Sequence, residues 1–379
     1  MNGIYGASMK AVRVKRHKVA ILIPTYYNIF SQAEKCAVQQ CLKILAKYPV
    51  FFIIPNDLEV KNDLVCEKVQ YVKVPKQWMD SIESYSKMLC SIEFYERFIE
   101  FEYVLIYQLD AFVFQDRLQD FCEAGYDYYG APWLYGSWNG KERLYVGNGG
   151  FSLRRTQAVI NLLETEKYEG GHEDTFFGGC KTDFFRVAPI DIALEFAFET
   201  DVRKCYIMNN KQLPFGCHAW EKWDYSFWEP FIEREGYHLK NMRHTCESAF
   251  KQWIGWDLSG NVLQKCIGME DIADREIYIW GTKAEGFECG YLLRKIGIAE
   301  FSYIDNDSRS WGNQLWGKSI IPPARFDKSR RECAVIIAAK AYEEEIAAQL
   351  GNCAGNILYY SIMVKSIEAF IQQNFLGQR

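Results

Sequence analysis

The chain of 379 residues is long enough for two domains, and its 49% apolar and 25% charged residues are those of an ordinary soluble protein. A net charge of −5 supplies no overall basic field of the kind that holds nucleic acid. Thirteen cysteines, an odd number without a Cys-x-x-Cys pair, argue against a disulfide framework and a zinc finger and for reduced thiols in a cytoplasmic protein.

The basic cluster from Lys10 to Lys18 reads as a solvated lead-in to the first strand, with peripheral contact to a membrane surface as the minority reading. Val19 to Ile23, closed by Pro24, reads as a buried strand, too short to span a bilayer and not a signal-peptide core. Ser31 to Tyr48 has helical spacing, with Ser31 and Glu34 forming a capping-box pattern. Phe51 to Ile54 and Val69 to Val74 are further strands, Asp80 to Glu100 a long helix, and Tyr103 to Tyr107 a fourth strand. Tyr135 to Glu142 reads as a mobile loop and Arg155 to Glu164 as a helix. A second α/β pattern starts near Glu276: a strand to Trp280, a helix to Ile296, a strand at Phe301 to Ile304, a strand at Cys333 to Ala338 and a helix at Tyr342 to Leu350. This alternation predicts an α/β protein with a mostly parallel sheet flanked by helices over residues 1–255 and a smaller Rossmann-like α/β domain over 270–379.

Chemistry concentrates in the first part. Asp110 follows the strand at Tyr103 to Tyr107, and open α/β sheets bind ligands outside the carboxyl ends of their strands. A carboxylate there suits Mn²⁺ or Mg²⁺, and His218, in Pro214 to Trp220, is the candidate second ligand, whose imidazole favours Mn²⁺. Gly149 and Gly150, in Gly147 to Arg154, remove side-chain bulk where a sugar or diphosphate would lie against the backbone; a tight turn is the plainer reading. Glu173 and Asp174 supply carboxylates for a general base or for charge stabilisation, or they cap the helix that follows. Trp133 and Trp220 are aromatic platforms of the kind that cover sugar C–H faces, though packing is the commoner role of a tryptophan.

Five blocks in order support a resemblance: Gln108 to Phe112, Gly130 to Trp133, Gly147 to Arg154, Glu173-Asp174, and Pro214 to His218. Over about Lys18 to Trp220 the chain resembles a GT-A-fold glycosyltransferase, closest to a bacterial family that carries these blocks. It is also distantly similar to β-1,4-galactosyltransferases, through Gly149-Gly150-Phe151-Ser152 and Gly171-His172-Glu173-Asp174. The resemblance implies Asp174 as the base, Glu173 as an acceptor contact, and Asp110 with His218 on the metal, with Gln108 where the usual Asp-x-Asp motif has its first carboxylate. It also implies nucleotide contacts from Pro24, Thr25 and Tyr26, and ribose or diphosphate contacts from Tyr85, Ser86 and Lys87.

In the second part, Gly281 to Gly286 opens a helix after a strand, the place of a dinucleotide fingerprint, but Lys283 replaces the middle glycine; Asp305 stands where a ribose-binding acid would. A structural or regulatory role is favoured over nicotinamide chemistry. The reading of the whole chain is a metal-dependent, inverting glycosyltransferase that moves a sugar from a nucleoside-diphosphate sugar donor to a glycan or lipid-linked acceptor, in the cytoplasm or at the inner face of the membrane. The alternatives are a non-catalytic nucleotide-sugar or glycan-binding protein, a nucleotidyltransferase, and a dehydrogenase acting through the C-terminal domain.

Overall fold

The computed structural model describes residues 17–59, 69–138, 143–180, 182–240, 242, 253–256, 258–267, 275–329, 331–353 and 355–376. Lys10 to Arg16, residues 139–142 of the expected loop, and residues 257, 268 and 269 of the interval expected to part the two domains lie outside them.

The chain begins β1 (Val19–Pro24), α1 (Gln32–Ile44), β2 (Val50–Pro55) and β3 (Val69–Val74). Every residue of β1 and β2 is buried, which explains unbroken apolar runs without alternation. The Ser31 side chain accepts from the Glu34 N–H and Glu34 returns the bond to the Ser31 N–H, so the expected capping box starts α1. Next come α2 (Ile82–Leu89), α3 (Ile92–Glu96), β4 (Tyr103–Tyr107), β5 (Phe112–Val113), α4 (Leu118–Ala124), β6 (Tyr128–Tyr129), β7 (Pro132–Trp138), β8 (Arg143–Val146) and β9 (Phe151–Arg155). The sheet order is β3-β2-β1-β4-β9-β6. Its first four strands are parallel, β9 runs antiparallel to β4, and β6 antiparallel to β9.

Two local expectations are corrected. The helix expected over Asp80 to Glu100 is broken: Ser91 turns extended, and its hydroxyl donates to the Met88 carbonyl at 2.7 Å, capping α2 instead of continuing it. The described part of the expected loop at Tyr135 to Glu142 belongs to the β7–β8 hairpin, paired antiparallel across an irregular register. Its Gly, Ser and Trp residues carry no alternation that would have marked a strand.

The middle of the chain is short pieces: α5 (Thr156–Thr165), α6 (Glu173–Gly178), α7 (Ile190–Phe196), β10 (Ala197–Phe198), α8 (Val202–Met208), β11 (Gly216–Cys217), α9 (Tyr225–Arg234) and α10 (Gly260–Ile267). A second sheet follows, from β12 (Glu276–Trp280), α11 (Ala284–Lys295), β13 (Ser302–Ile304), β14 (Gln314–Leu315), β15 (Lys318–Ile321), β16 (Cys333–Ile337), α12 (Glu343–Leu350), β17 (Asn356–Tyr359) and α13 (Tyr360–Ile371). Its order, β14-β15-β13-β12-β16-β17, puts β12 between β13 and β16, and all but β14 are parallel. This is the second, Rossmann-like α/β pattern expected from the sequence.

The three-stranded sheet β10-β11-β5 and the second six-stranded sheet share an apolar cluster that runs from Phe112, Trp220 and Trp228 through Trp253 and Leu263 to Leu292 and Ile367. Polar groups tie them as well. Lys204 Nζ lies 2.6 Å from Glu288 Oε1, which shares its carboxylate with the Tyr360 hydroxyl, and the Trp316 N–H donates to Asp191 at 3.0 Å.

Gly286 lets α11 sit on the loop after β12: a Cβ there would lie 2.0 Å from the Gly281 carbonyl oxygen. Gly286→Ala is expected to lower unfolding free energy by about 2 kcal/mol, as overpacking does, read as a lower urea midpoint at unchanged slope.

Candidate functional site

Four side chains meet at the carboxyl end of β4 because of strand register. β10 and β11 pair in parallel, Ala197 with Gly216 and Phe198 with Cys217, so Glu199 and His218 emerge side by side one step later. β5 lies antiparallel to β11, Phe112 opposite Cys217, and Asp110 precedes β5. His218 Nε2 is therefore 3.0 Å from Asp110 Oδ1 and 3.1 Å from Gln108 Oε1, while its Nδ1 is 2.8 Å from Glu199 Oε2. The Gln108 amide donates onward to the Tyr85 hydroxyl at 3.2 Å. Ala219 adopts a left-handed φ of 49°, a strained bend immediately after the histidine.

The electrostatics follow. Burial opposes charge on His218, but Glu199 and Asp110 on either side hold its imidazole well above the usual range, so without a cation it is an imidazolium between two carboxylates. Burial raises the Asp110 carboxyl, yet the His218 charge and hydrogen bond bring it below the usual range. Glu221, unremarked in the sequence, faces the same end: burial, then the negative charges of Asp110 and Glu34, push it up to about 7.

The glycine turn divides this cluster from a second one. A Cβ on Gly150 would lie 2.0 Å from His218 Nε2, and one on Gly149 would lie 2.2 Å from Glu173 Oε1. Both glycines thus make room for protein side chains, His218 and Glu173. Asn148 supplies the left-handed residue of the turn, with φ 46°.

Glu173 points inward. It accepts from Ser86 at 3.0 Å and from Arg154 at 3.4 Å. Arg154 is fully buried, donates to Ser152 and Tyr95, and lies over the Phe177 ring at 4.8 Å. This placement corrects the expectation of Glu173 as an acceptor contact: it is the buried anchor of α6. Asp174, the next residue, has a buried Oδ1 with no hydrogen-bond partner among the described residues. Burial, then the Glu173 charge, push its carboxyl up to about 6, and Glu199 contributes in the same direction.

The other expected contacts divide. Tyr26 exposes its ring beyond β1, 64% accessible, whereas Pro24 and Thr25 are buried, with the Thr25 N–H bonded to the Ile53 carbonyl. Tyr85 reaches the site through Gln108; Lys87, on the same helix, is exposed. The Trp133 ring covers Gly147, where a Cβ would lie 1.9 Å from it. Trp220 is fully buried against Phe112 and Tyr225, which corrects its assignment as an acceptor platform. Glu199 and Arg154 were missed as functional residues; each bears an ordinary charge in an unremarkable local pattern, and only the fold reveals its partner.

Thr282 and Lys283, with Asp307 and Arg309, line one side of a cleft of ≈ 510 Å³ whose other side carries Tyr145, Asp183 and Arg186. On this side the charges are matched to one another: Arg309 forks onto Asp307, Lys283 lies 3.9 Å from Asp307, and Asp305 accepts from the Thr282 hydroxyl and the Asp307 N–H.

Two consequences are measurable. Replacing Arg154 by Met strands a buried carboxylate, so Arg154→Met should cost about 3 kcal/mol in chemical denaturation, with part restored by adding Glu173→Gln. Asp174 has a folded-state carboxyl pushed up to about 6, so the stability linked to its proton is present below pH 4 and lost as pH rises through 6. Asp174→Asn should therefore raise the melting temperature at pH 8, by at most about 3 kcal/mol of stability, and leave it unchanged near pH 3.5.

A family model described as a protein of unknown function (DUF5672) matches residues 68–218. No curated protein matches the chain. Among solved structures, the glycosyltransferase GlyE of Streptococcus pneumoniae TIGR4 is 13% identical, with a TM-score of 0.35 over 93% of this chain and 98% of that one. A glycosyltransferase involved in glycosylation of the major capsid of PBCV-1 is 11% identical, with a TM-score of 0.34 over 57% of this chain and 99% of that one. The galactosyltransferase LgtC, solved with donor and acceptor sugar analogs, is 12% identical, with a TM-score of 0.33 over 52% of this chain and 86% of that one. Likenesses this distant leave function to the chain's own geometry.

Proposed function

We propose that the chain is an inverting glycosyltransferase that moves a sugar from a nucleoside-diphosphate donor to a hydroxyl of a glycan or lipid-linked acceptor and uses a divalent cation, and that residues 1–255 and 270–379 are its two domains. The observation that carries this reading is the pair of clusters flanking Gly149 and Gly150: a nitrogen–oxygen donor set on one side and, anchored by Glu173 on the other, an acid with a buried oxygen unpartnered among the described residues. His218 Nε2, Asp110 Oδ1 and Gln108 Oε1 would hold the cation. One imidazole and two oxygens suit Mn²⁺ better than Mg²⁺. Among the described residues no third His, Cys, Asp or Glu completes a metal group, so the set fits a cation that also takes oxygens from a substrate's diphosphate. Such a cation supplies Lewis-acid stabilisation of the leaving diphosphate.

The chain's own residues do the rest. Tyr26 offers an exposed ring for a nucleotide base. Asp174, ionised above about pH 6, accepts the acceptor hydroxyl's proton as that oxygen bonds to the anomeric carbon and the anomeric C–O bond to the diphosphate breaks. No described helix is long and apolar enough to cross a membrane; a lipid-linked acceptor met at the inner face belongs to the same proposal. Gln108 in place of a carboxylate favours the second reading, a protein that binds a nucleotide sugar without turnover.

A thermal-shift screen of nucleoside-diphosphate sugars, with and without Mn²⁺, should find a donor that stabilises the protein only with the cation. With that donor, the rate should climb with pH up to about 6 and level off above it. Asp174→Asn should lose about 10²-fold or more in kcat while still binding donor. Wild-type turnover in that variant would refute the base assignment, and a cation-dependent shift with neither transfer nor donor hydrolysis would favour the binding protein.

A further inference from the structure

We infer that Glu199 is a positioning residue: it holds the His218 imidazole with Nε2 toward Asp110 and Gln108, and thereby sets the cation affinity of the site without itself touching cation or donor. This rests on the reading of Asp110 and His218 as a cation-binding pair.

The parallel register of β10 and β11 delivers Glu199 beside His218. The contact is 2.8 Å at Nδ1, and the two side chains are only 13% and 12% exposed, so water competes weakly for it. A neutral imidazole carries one N–H. A carboxylate at Nδ1 keeps that proton there and leaves the Nε2 lone pair on the face where Asp110 Oδ1 and Gln108 Oε1 stand at 3.0 and 3.1 Å. The charge argument points the same way. Gln108 is neutral, so Asp110 is the single anion among the three donors. Glu199 places a second negative charge one imidazole ring away and makes Nε2 more basic. The Gly150 backbone closes another side of the ring, since a Cβ there would overlap it, so the imidazole is held between Glu199 and the glycine turn in one orientation.

The test is uptake of Mn²⁺ alone by the full-length protein, followed as loss of the free-ion electron paramagnetic resonance signal, with the metal-free melting temperature measured alongside. Wild type should bind Mn²⁺ and Asp110→Asn should not. Glu199→Ala should weaken binding by about 10–100-fold, the usual cost of losing such a partner. Glu199→Gln keeps an acceptor for Nδ1–H and should recover most of that loss. Unchanged affinity in Glu199→Ala, or equal loss in the Gln and Ala variants, would overturn the positioning role and leave the cation reading intact. No uptake by wild type, or uptake indifferent to Asp110→Asn, would remove the cation reading and this inference together. If the Ala variant does not fold, two-bond ¹H–¹⁵N correlation of His218 in wild type saturated with Mg²⁺ decides: the proton is expected on Nδ1, and a proton on Nε2 would overturn the inference.

Discussion

The constraint on which the site depends is the absence of side chains at Gly149 and Gly150. The turn between β8 and β9 passes so close to two inward-pointing groups that a methyl at either position would overlap one of them, Glu173 from α6 or His218 from the end of β11. Neither group sits near the turn in sequence. The two glycines let three separate segments converge at the carboxyl end of β4, where Gln108 N–H also bonds the Gly150 carbonyl at 2.9 Å. A ligand-accommodating glycine and a packing glycine look alike in a sequence, because both need only the missing Cβ. The neighbouring atoms separate them.

Around that turn the acidic pair is split by burial. Glu173 is enclosed with Arg154, Ser86, Ser152 and Tyr95, a satisfied network in a low-dielectric interior that ties α2, β9 and α6 together. Asp174 is left with an oxygen unpartnered among the described residues and a carboxyl that holds its proton more tightly than usual. Adjacent carboxylates pushed into different environments can take different roles. Here one anchors the helix and the other is available to chemistry.

The histidine cluster shows the complementary case. His218 is enclosed between Glu199 and Asp110, and its charge state follows from which of its neighbours is free to accept a proton or share a cation. β10 and β11 are only two residues long, yet their register determines the partnership completely. The second sheet shares core with β5, β10 and β11 through Trp253, Leu263 and Leu292, and on its side of the cleft Arg309 and Lys283 are both held by Asp307.

Local features were legible in the sequence because they rest on short-range physics. The buried apolar runs of β1, β2 and β4, the Ser31–Glu34 capping box, and the second α/β alternation after Glu276 each depend on residues within a few positions. Asp110 at a strand end and Asp174 beside Glu173 were legible for the same reason. Where local signals competed, the reading failed: Ser91 ended a helix whose apolar spacing continued, and the β7–β8 hairpin lacked alternation. Only the tertiary structure decided that Trp220 is core, that Glu173 is an anchor, that the glycines face side chains, and that Glu199 stands behind His218. These are statements about burial and about partners brought together by strand register, and a residue's burial is a property of the segments that cover it.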